Sequence, residues 1–449
     1  MKVNQKKCML RMSELLLIVA ATVTTAWAQE IKPGDKVTVI KWNAKFQVGA
    51  NVVLTTGLGQ NYVVSKINGD WLWIQAFEAY LSRADVVHYD HAIDHFTAAI
   101  RREPNSNVAY HNRAVVWAAR GETDIAIGDY TEAIRLAPRN SGSYRARGNA
   151  WAAKGEYDKA ITDYAEAIRL DPSDTSVYPL RAQVWTSKGD LDRAVADLSE
   201  CVKREPQESS HYYDRAHILR MQRKYDLALV DLSTALSIAP NEYVFYAMLC
   251  EIHFAMKNGA EVLKAANRMH ELQRVRSFDS NYFRGRAYRL LGRHKEALTE
   301  LQADPKHEND SALLAEIAAV HAAQGLYKQA AAEFDRLLKS PDVGTVKKIP
   351  FILFLAGCPD DAFRDGERSL KLALDAKETS GSAVDLKGAK AAAYSECGDF
   401  VQAVAHQKDA ISLAERQKLH ETYITELKER LTLFESGKPY RLPVVKPTE

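Results

Sequence analysis

Paired cysteines are missing from this chain: its five, Cys8, Cys201, Cys250, Cys358 and Cys397, are scattered, with no C-x-x-C among them. That pattern offers neither a disulfide framework nor a thiolate zinc site. Cys201 and Cys250 fall where a small residue meets a neighbouring helix, so they are expected as small hydrophobes. Also missing are a glycine loop ending in Gly-Lys-Ser/Thr, an H-E-x-x-H pair and a G-x-S-x-G elbow. No phosphate cradle, zinc-protease pair or hydrolase nucleophile is therefore in view, and neither an enzyme nor a cofactor is expected. Charge of one sign is lacking too. Lys and Arg number 60 against 58 Asp and Glu, a formal net +2, which argues against electrostatic capture of nucleic acid.

Long apolar runs are scarce. The one that matters, Leu15 to Thr25, follows Lys2, Lys6, Lys7 and Arg11 and precedes Ala26-Trp27-Ala28. A positive region, an apolar region and a small-x-small site in that order predict a cleaved secretory signal over 1–28. The other reading, an uncleaved anchor, asks a short run to span a bilayer. Cys8 lies ahead of the apolar core, where it does not serve as a lipid acceptor. Those 28 residues carry four cations and one anion, so the remaining body is formally about −1. An exported protein, periplasmic or extracellular and without stable membrane insertion, is expected. The later run Ile349 to Ala356 is expected as a buried helix.

Repetition is what the chain has in quantity. Five of its 14 prolines, Pro104, Pro138, Pro172, Pro206 and Pro240, stand 34 residues apart. A period of that length predicts stacked two-helix units. Copies begin at Asn107, Ser141, Thr175 and Ser209, with Tyr110, Tyr144, Tyr178 and Tyr212 fourth. Trp117, Trp151, Trp185 and Leu219 are eleventh, on the same helical face. Gly121, Gly155, Gly189 and Arg223 are fifteenth, where glycine ends a helix by entering the left-handed region. Ala126, Ala160, Ala194 and Ala228 are twentieth, letting two helix axes approach. Tyr130, Tyr164, Leu198 and Leu232 follow four later to fill the adjoining gap.

These residues resemble the tetratricopeptide repeat (TPR), whose pattern runs W-x2-L-G-x2-Y, A-x3-F, P. The resemblance covers 107–242, with a half-unit before it at Ala92, Phe96, Ala99 and Pro104. It departs from the family where Leu at the seventh position is replaced by Arg113, Arg147, Arg181 and Arg215. Weaker copies are expected over 243–276, 278–310 and 311–343, then around Gly357 with Ala362 and Gly398 with Phe400 and Ala403. The resemblance implies a mainly α fold, a TPR solenoid over 89–343. Degenerate repeats follow over 344–436, with a capping helix from Glu421 to Phe434 and a tail over 437–449.

Residues 31–88 differ in kind. Val37, Val39, Val52–Leu54, Tyr62–Ile67 and Trp71–Ile74 are β-branched and aromatic runs punctuated by Pro33-Gly34, Gly57-Leu58-Gly59 and Asn68-Gly69. Asn68-Gly69 predicts a hairpin with those two residues at the centre of its turn. The segment resembles a bacterial SH3-like barrel through Gly34-Asp35-Lys36-Val37, Gly69-Asp70-Trp71-Leu72-Trp73 and Tyr80-Leu81-x-x-x-Asp85-Val86-Val87. Such modules in exported proteins imply cell-wall glycan or peptide binding. Trp71 and Trp73 are read as core and hairpin packing or as ligand platforms.

Three sets of residues bear on function. Arg113, Arg147, Arg181 and Arg215 recur with Asp129, Asp163, Asp197 and Asp231 sixteen residues on, and Arg284 with Glu300 repeats the pairing. An ion-pair ladder between helices is expected, with a basic groove for acidic peptides as the alternative. His88, His91 and His95, with Asp90 and Asp94 between, are weighed as a metal cluster or a structural face. By the resemblance, second, fifth, ninth, twelfth and thirteenth positions line the inner groove: His111, Arg145, Asn149, Gln183, Thr186, Tyr213, His217 and Arg220. Arg145 with Asn149 resembles part of the family's clamp for a terminal carboxylate, but the next unit has Leu180 where the clamp adds Asn. The expected function is a non-catalytic scaffold holding a protein or peptide. The alternatives are an envelope protein anchored through the SH3-like segment that recruits an enzyme, or an enzyme built on the His88–His95 cluster.

Overall fold

The computed structural model describes residues 31–41, 44–48, 51–56, 59–272, 278–303, 310–340, 343–379 and 382–442. The expected signal over 1–28 and residues 443–449 of the expected tail lie outside the described residues. The chain forms two compact units, 1–180 and 181–449, divided inside a helix.

The first unit opens with eight strands: β1 Lys36–Val39, β2 Ala44–Val48, β3 Asn51–Thr56, β4 Asn61–Val63, β5 Lys66–Asn68, β6 Trp71–Ile74, β7 Ala79–Ser82 and β8 Val86–His88. They make two antiparallel sheets, ordered β4-β1-β8 and β3-β2-β7-β6-β5. Alternation explains their shared core: Val37, Val39, Phe46, Leu72, Ile74 and Leu81 point inward. Trp71 is left 38% exposed and Trp73 meets Tyr80 edge-on at 4.8 Å. The hairpin expected around Asn68-Gly69 forms, but its turn sits one residue later. Asn68 pairs with Trp71, so Gly69 and Asp70 are central, and Gly69 takes the positive φ of 58°. Glycine is placed first because that position alone demands the left-handed backbone.

Helices follow in pairs: α1 Ala92–Arg102 alone, then α2 Asn107–Ala119 with α3 Thr123–Leu136, and α4 Ser141–Ala153 with α5 Tyr157–Leu170. The helix α6 Val177–Lys188 carries the division between units. An apolar cluster of Ala92, Phe96 and Val116 with Ile40 and Val87 fastens the strands to the first helices.

The second unit continues with α7 Leu191–Arg204, α8 Ser209–Met221, α9 Tyr225–Ile238, α10 Tyr243–Ala255, α11 Gly259–Leu272, α12 Phe278–Leu290, α13 His294–Gln302, α14 Ser311–Ala323 and α15 Tyr327–Leu337. Five more complete it: α16 Thr345–Gly357, α17 Gly366–Asp375, α18 Ala383–Glu396, α19 Phe400–Arg416 and α20 Glu421–Glu435.

The 34-residue period has a visible mechanical cause. Glu103, Ala137, Asp171, Glu205 and Ala239 each precede a periodic proline, and each is a C-cap that has left the helical region, with φ between −137° and −127° and ψ between 67° and 86°. The proline ring drives its predecessor out of the helical region, so every second helix stops at one place. Small eighth positions admit the bulky residue sixteen later. A Cβ on Gly148 would stand 2.8 Å from the Tyr164 ring, and one on Gly285 would stand 2.5 Å from Leu301. Cys250 occupies that same position, fully buried. Cys201 and Cys358 are buried as well, whereas Cys397 is exposed.

In the last repeats the expected phase slips. Gly357 does not end its helix through a positive φ. It is the last helical residue, kept small because a Cβ there would lie 2.8 Å from Tyr440. Ala362 lies in a single 3-10 turn, Asp361–Phe363, and the second helix begins only at Gly366. The run Ile349 to Ala356 is helical, with Phe351, Ile352 and Phe354 buried. Among the described residues no helix is long and apolar enough to cross a membrane.

Candidate binding groove

The Arg column organises the repeats before any groove is considered. Arg113 grips Asp129 with two hydrogen bonds of 2.7 and 2.8 Å. Arg147 holds Asp163 at 2.8 and 2.8 Å, Arg181 holds Asp197 at 2.9 and 2.6 Å, and Arg215 holds Asp231 at 2.8 and 2.6 Å. All four carboxylates are buried. Each pair joins the two helices of one unit. A third bond adds something the sequence analysis missed: Arg113, Arg147 and Arg215 use Nη1 to donate to Thr97, Thr131 and Ser199 at 3.1 to 3.2 Å. Those hydroxyls belong to the second helix of the preceding unit, so one guanidinium ties three helices. The signal was a hydroxyl residue sixteen positions before the arginine. Tyr110, Tyr144 and Tyr212 lie under the same guanidinium groups, 5.7 to 5.9 Å from ring centre. Arg284 reaches Glu300 at 2.5 Å.

In the first unit, His111, Arg145 and Asn149 line one cavity of about 580 Å³ between α2 and α4. Gly59 and Gln60, before β4, form part of its wall. Gly59 is pressed against α2: with φ at +81°, a Cβ there would meet Val115 Cγ1 at 2.5 Å. The polar side chains are already engaged. The His111 ring lies 3.0 Å from Ser143 Oγ, and Arg145 donates to Asp174 at 3.0 Å and Ser176 at 2.8 Å. Tyr164 donates its hydroxyl to Asn149 Oδ1 at 2.7 Å. Burial, and then the Arg145 charge, push His111 down to about 4, so it presents a neutral imidazole.

In the second unit, His217 and Arg220 line another cavity, of about 610 Å³. Its floor comes from equivalent places on successive first helices, with Glu251, Phe254 and Arg286 beside His217 and Arg220. Its opposite wall comes from Val384, Asp385, Gln417 and Leu419 near the far end of the chain. Arg286 lies 3.4 Å above the Phe254 ring and pairs with Glu251 at 3.1 Å and Glu316 at 3.2 Å. Arg220 buries its Nε with no hydrogen-bond partner. His217 is held down by burial and by Arg220.

The remaining candidates line neither cavity. Gln183 is exposed, and Thr186 spends its hydroxyl on the Ala182 carbonyl at 2.8 Å. Tyr213 packs on Phe245, ring centres 5.3 Å apart. In the histidine cluster, His88 Nδ1 accepts from the Asp90 backbone N–H at 3.4 Å and caps a turn. His95 sits edge-on to Phe96 at 5.0 Å.

A tetratricopeptide repeat model matches residues 81–140, 118–175 and 187–242. Those stretches are tetratricopeptide repeats, a fold that works by holding protein or peptide partners. Among solved structures, a tetratricopeptide repeat protein from Parabacteroides merdae is 16% identical, with a TM-score of 0.45 over 54% of this chain and 96% of its own. YrrB, a TPR protein with an unusual peptide-binding site, is 18% identical with a TM-score of 0.36 over 41% of this chain and 95% of its own. MamA from Desulfovibrio magneticus is 18% identical with a TM-score of 0.35, covering 38% and 97%. No curated protein matches the chain.

Proposed function

We propose that this chain is an exported, non-catalytic scaffold that holds a protein or peptide partner against the inner-face positions of its repeats. The observation that carries the reading is the first-unit cavity. Five inner-face positions of one repeat and several of the next converge on about 580 Å³ of space that neighbouring helices leave unfilled. Val108, one of its lining residues, is apolar and 54% exposed. Arg145, Asn149 and His111 supply charge, amide and neutral imidazole within that apolar frame. That mixture suits a peptide's backbone and side chains.

The test is a photo-crosslinking residue at Val108 in the intact chain inside cells, read by mass spectrometry. An adduct at Val108, weakened by Arg145→Ala and lacking when the residue is placed at Val401, is the expected result. Val401 is 79% exposed and lines neither cavity. Equal adducts at both positions, or none at Val108, overturn the reading.

A second reading gives the strand region, proposed as SH3-like, a role in holding cell-wall glycan or peptide while the repeats recruit an enzyme. The exposed Trp71 favours it. Retention of the full chain on isolated cell wall, lost in Trp71→Ala, supports that role; no retention removes it.

A further inference from the structure

The cavity in the second unit is lined by residues 191–286 together with Val384, Asp385, Gln417 and Leu419 from far downstream, and polar side chains reach across between the two sets. Arg223 donates to Asp385 at 3.0 and 3.2 Å and lies 3.5 Å over the Tyr423 ring. Tyr423 donates its hydroxyl to the same Asp385 carboxylate. Lys418 pairs with Asp192, which also accepts from Gln222 at 2.9 Å. Among the described residues, the apolar clusters on the two sides are separate. Val384, Ala410, Ile411, Leu419, Ile424 and Leu427 form one core on the downstream side, while Ala216, Leu232, Phe245 and Ile252 form another on the upstream side. A seam of partly exposed ion pairs separates at far smaller cost than an apolar one.

Backbone strain marks the same residues. Arg223 stands at the fifteenth repeat position, where Gly121, Gly155, Gly189, Gly292 and Gly325 take positive φ. It takes that conformation too, at φ 58°, and Lys418 does so at φ 49°. Among the described residues four non-glycine residues do so: Glu78, Arg223, Lys257 at the fifteenth position of the next repeat, and Lys418. The left-handed backbone at Arg223 carries a steric cost that glycine would not, so Arg223→Gly removes the side chain without adding strain.

We propose that Arg223–Asp385–Tyr423 and Lys418–Asp192 form a clasp that gates the second-unit cavity, opening by separation of the polar seam to admit a partner. What enters rests on the groove reading above; the opening itself does not, because it is measured without any partner.

The experiment is thiol labelling of the chain carrying Cys8→Ser and Cys397→Ser, so that no native thiol outside the buried ones competes, and Met221→Cys to report from the cavity wall. Maleimide modification of residue 221 is timed with and without Arg223→Gly, which breaks the clasp while relieving the backbone. The rate is expected to rise about fivefold in Arg223→Gly, the upper factor that loss of a partly exposed ion pair is worth. Raising salt from 0.1 to 1 M, which shortens the screening length from about 10 to about 3 Å, should speed labelling of the clasped chain and not of Arg223→Gly. The exchanged pair Arg223→Asp with Asp385→Arg should restore slow labelling. Native Cys250, in the core of the same unit, is the internal control and should stay unlabelled throughout. A rate at residue 221 indifferent to Arg223→Gly and to salt overturns the proposal. So does labelling of Cys250 in step with it, since that reports unfolding instead of a clasp.

Discussion

Arg147 illustrates how one residue type carries three duties. Its guanidinium grips a buried carboxylate, reaches a hydroxyl on the previous unit and covers a tyrosine ring. Removing it strands Asp163, only 4% exposed, without its counter-charge. Arg147→Ala is therefore expected to cost about 3 kcal/mol in denaturant unfolding; unchanged stability together with lost partner binding would instead favour the basic-groove alternative. The cysteines differ among themselves for reasons of burial. Desolvation pushes Cys201 up to about 11 and Cys250 up to about 12, so both stay as thiols at neutral pH. In the chain left after the proposed removal of residues 1–28, native alkylation should modify Cys397 alone, with Cys201, Cys250 and Cys358 reacting only after denaturation; peptide mapping reads this directly. His111 has a pH signature. Because folding lowers it from 6.5 to about 4, it is neutral in the folded chain while the unfolded chain takes up a proton below 6.5. Its contribution is complete above pH 6.5 and falls by up to about 1.4 kcal/mol per pH unit as pH drops toward 4. In urea unfolding, the difference between wild type and His111→Gln should be constant above pH 6.5 and move against the wild type as pH falls through that window.

Elements were legible to the degree that local chemistry chose their ends. Prolines and fifteenth-position glycines punctuate the backbone through sterics confined to two or three residues, so the helix pairs from 107 to 242 could be drawn from spacing alone. The region after 343 was less legible, because its signals serve tertiary contacts. Gly357 looked like a helix stop and is instead a place where Tyr440 crosses. The hairpin was anticipated, but its turn lies at Gly69-Asp70, since strand register depends on cross-strand pairing as well as on the turn dipeptide. Gly69→Ala should accordingly cost about 1 kcal/mol at φ 58°, while Asn68→Ala costs little; thermal melts of the two variants check it. Gly148→Ala should destabilise more, by about 1–3 kcal/mol, because its Cβ collides with a Tyr164 ring that has nowhere to go.

At the scale of the whole molecule, export is the claim with the simplest test. The intact mass of protein recovered from outside the cytoplasm should correspond to a chain beginning at Gln29, and a retained Met1 would contradict the proposed signal. The repeat architecture, its period and the Arg–Asp column were all present in the linear chain, since each rests on interactions within about one repeat length. Which inner-face side chains share a cavity was not. His217 and Arg220 share a cavity with Asp385 and Leu419 because the second unit brings these distant segments together, and Gly59 meets Val115 because the strands lean on the first repeat. Neighbour-to-neighbour packing writes a period into sequence; juxtapositions across about 50 to about 200 residues leave no such mark, because each occurs once and nothing repeats it.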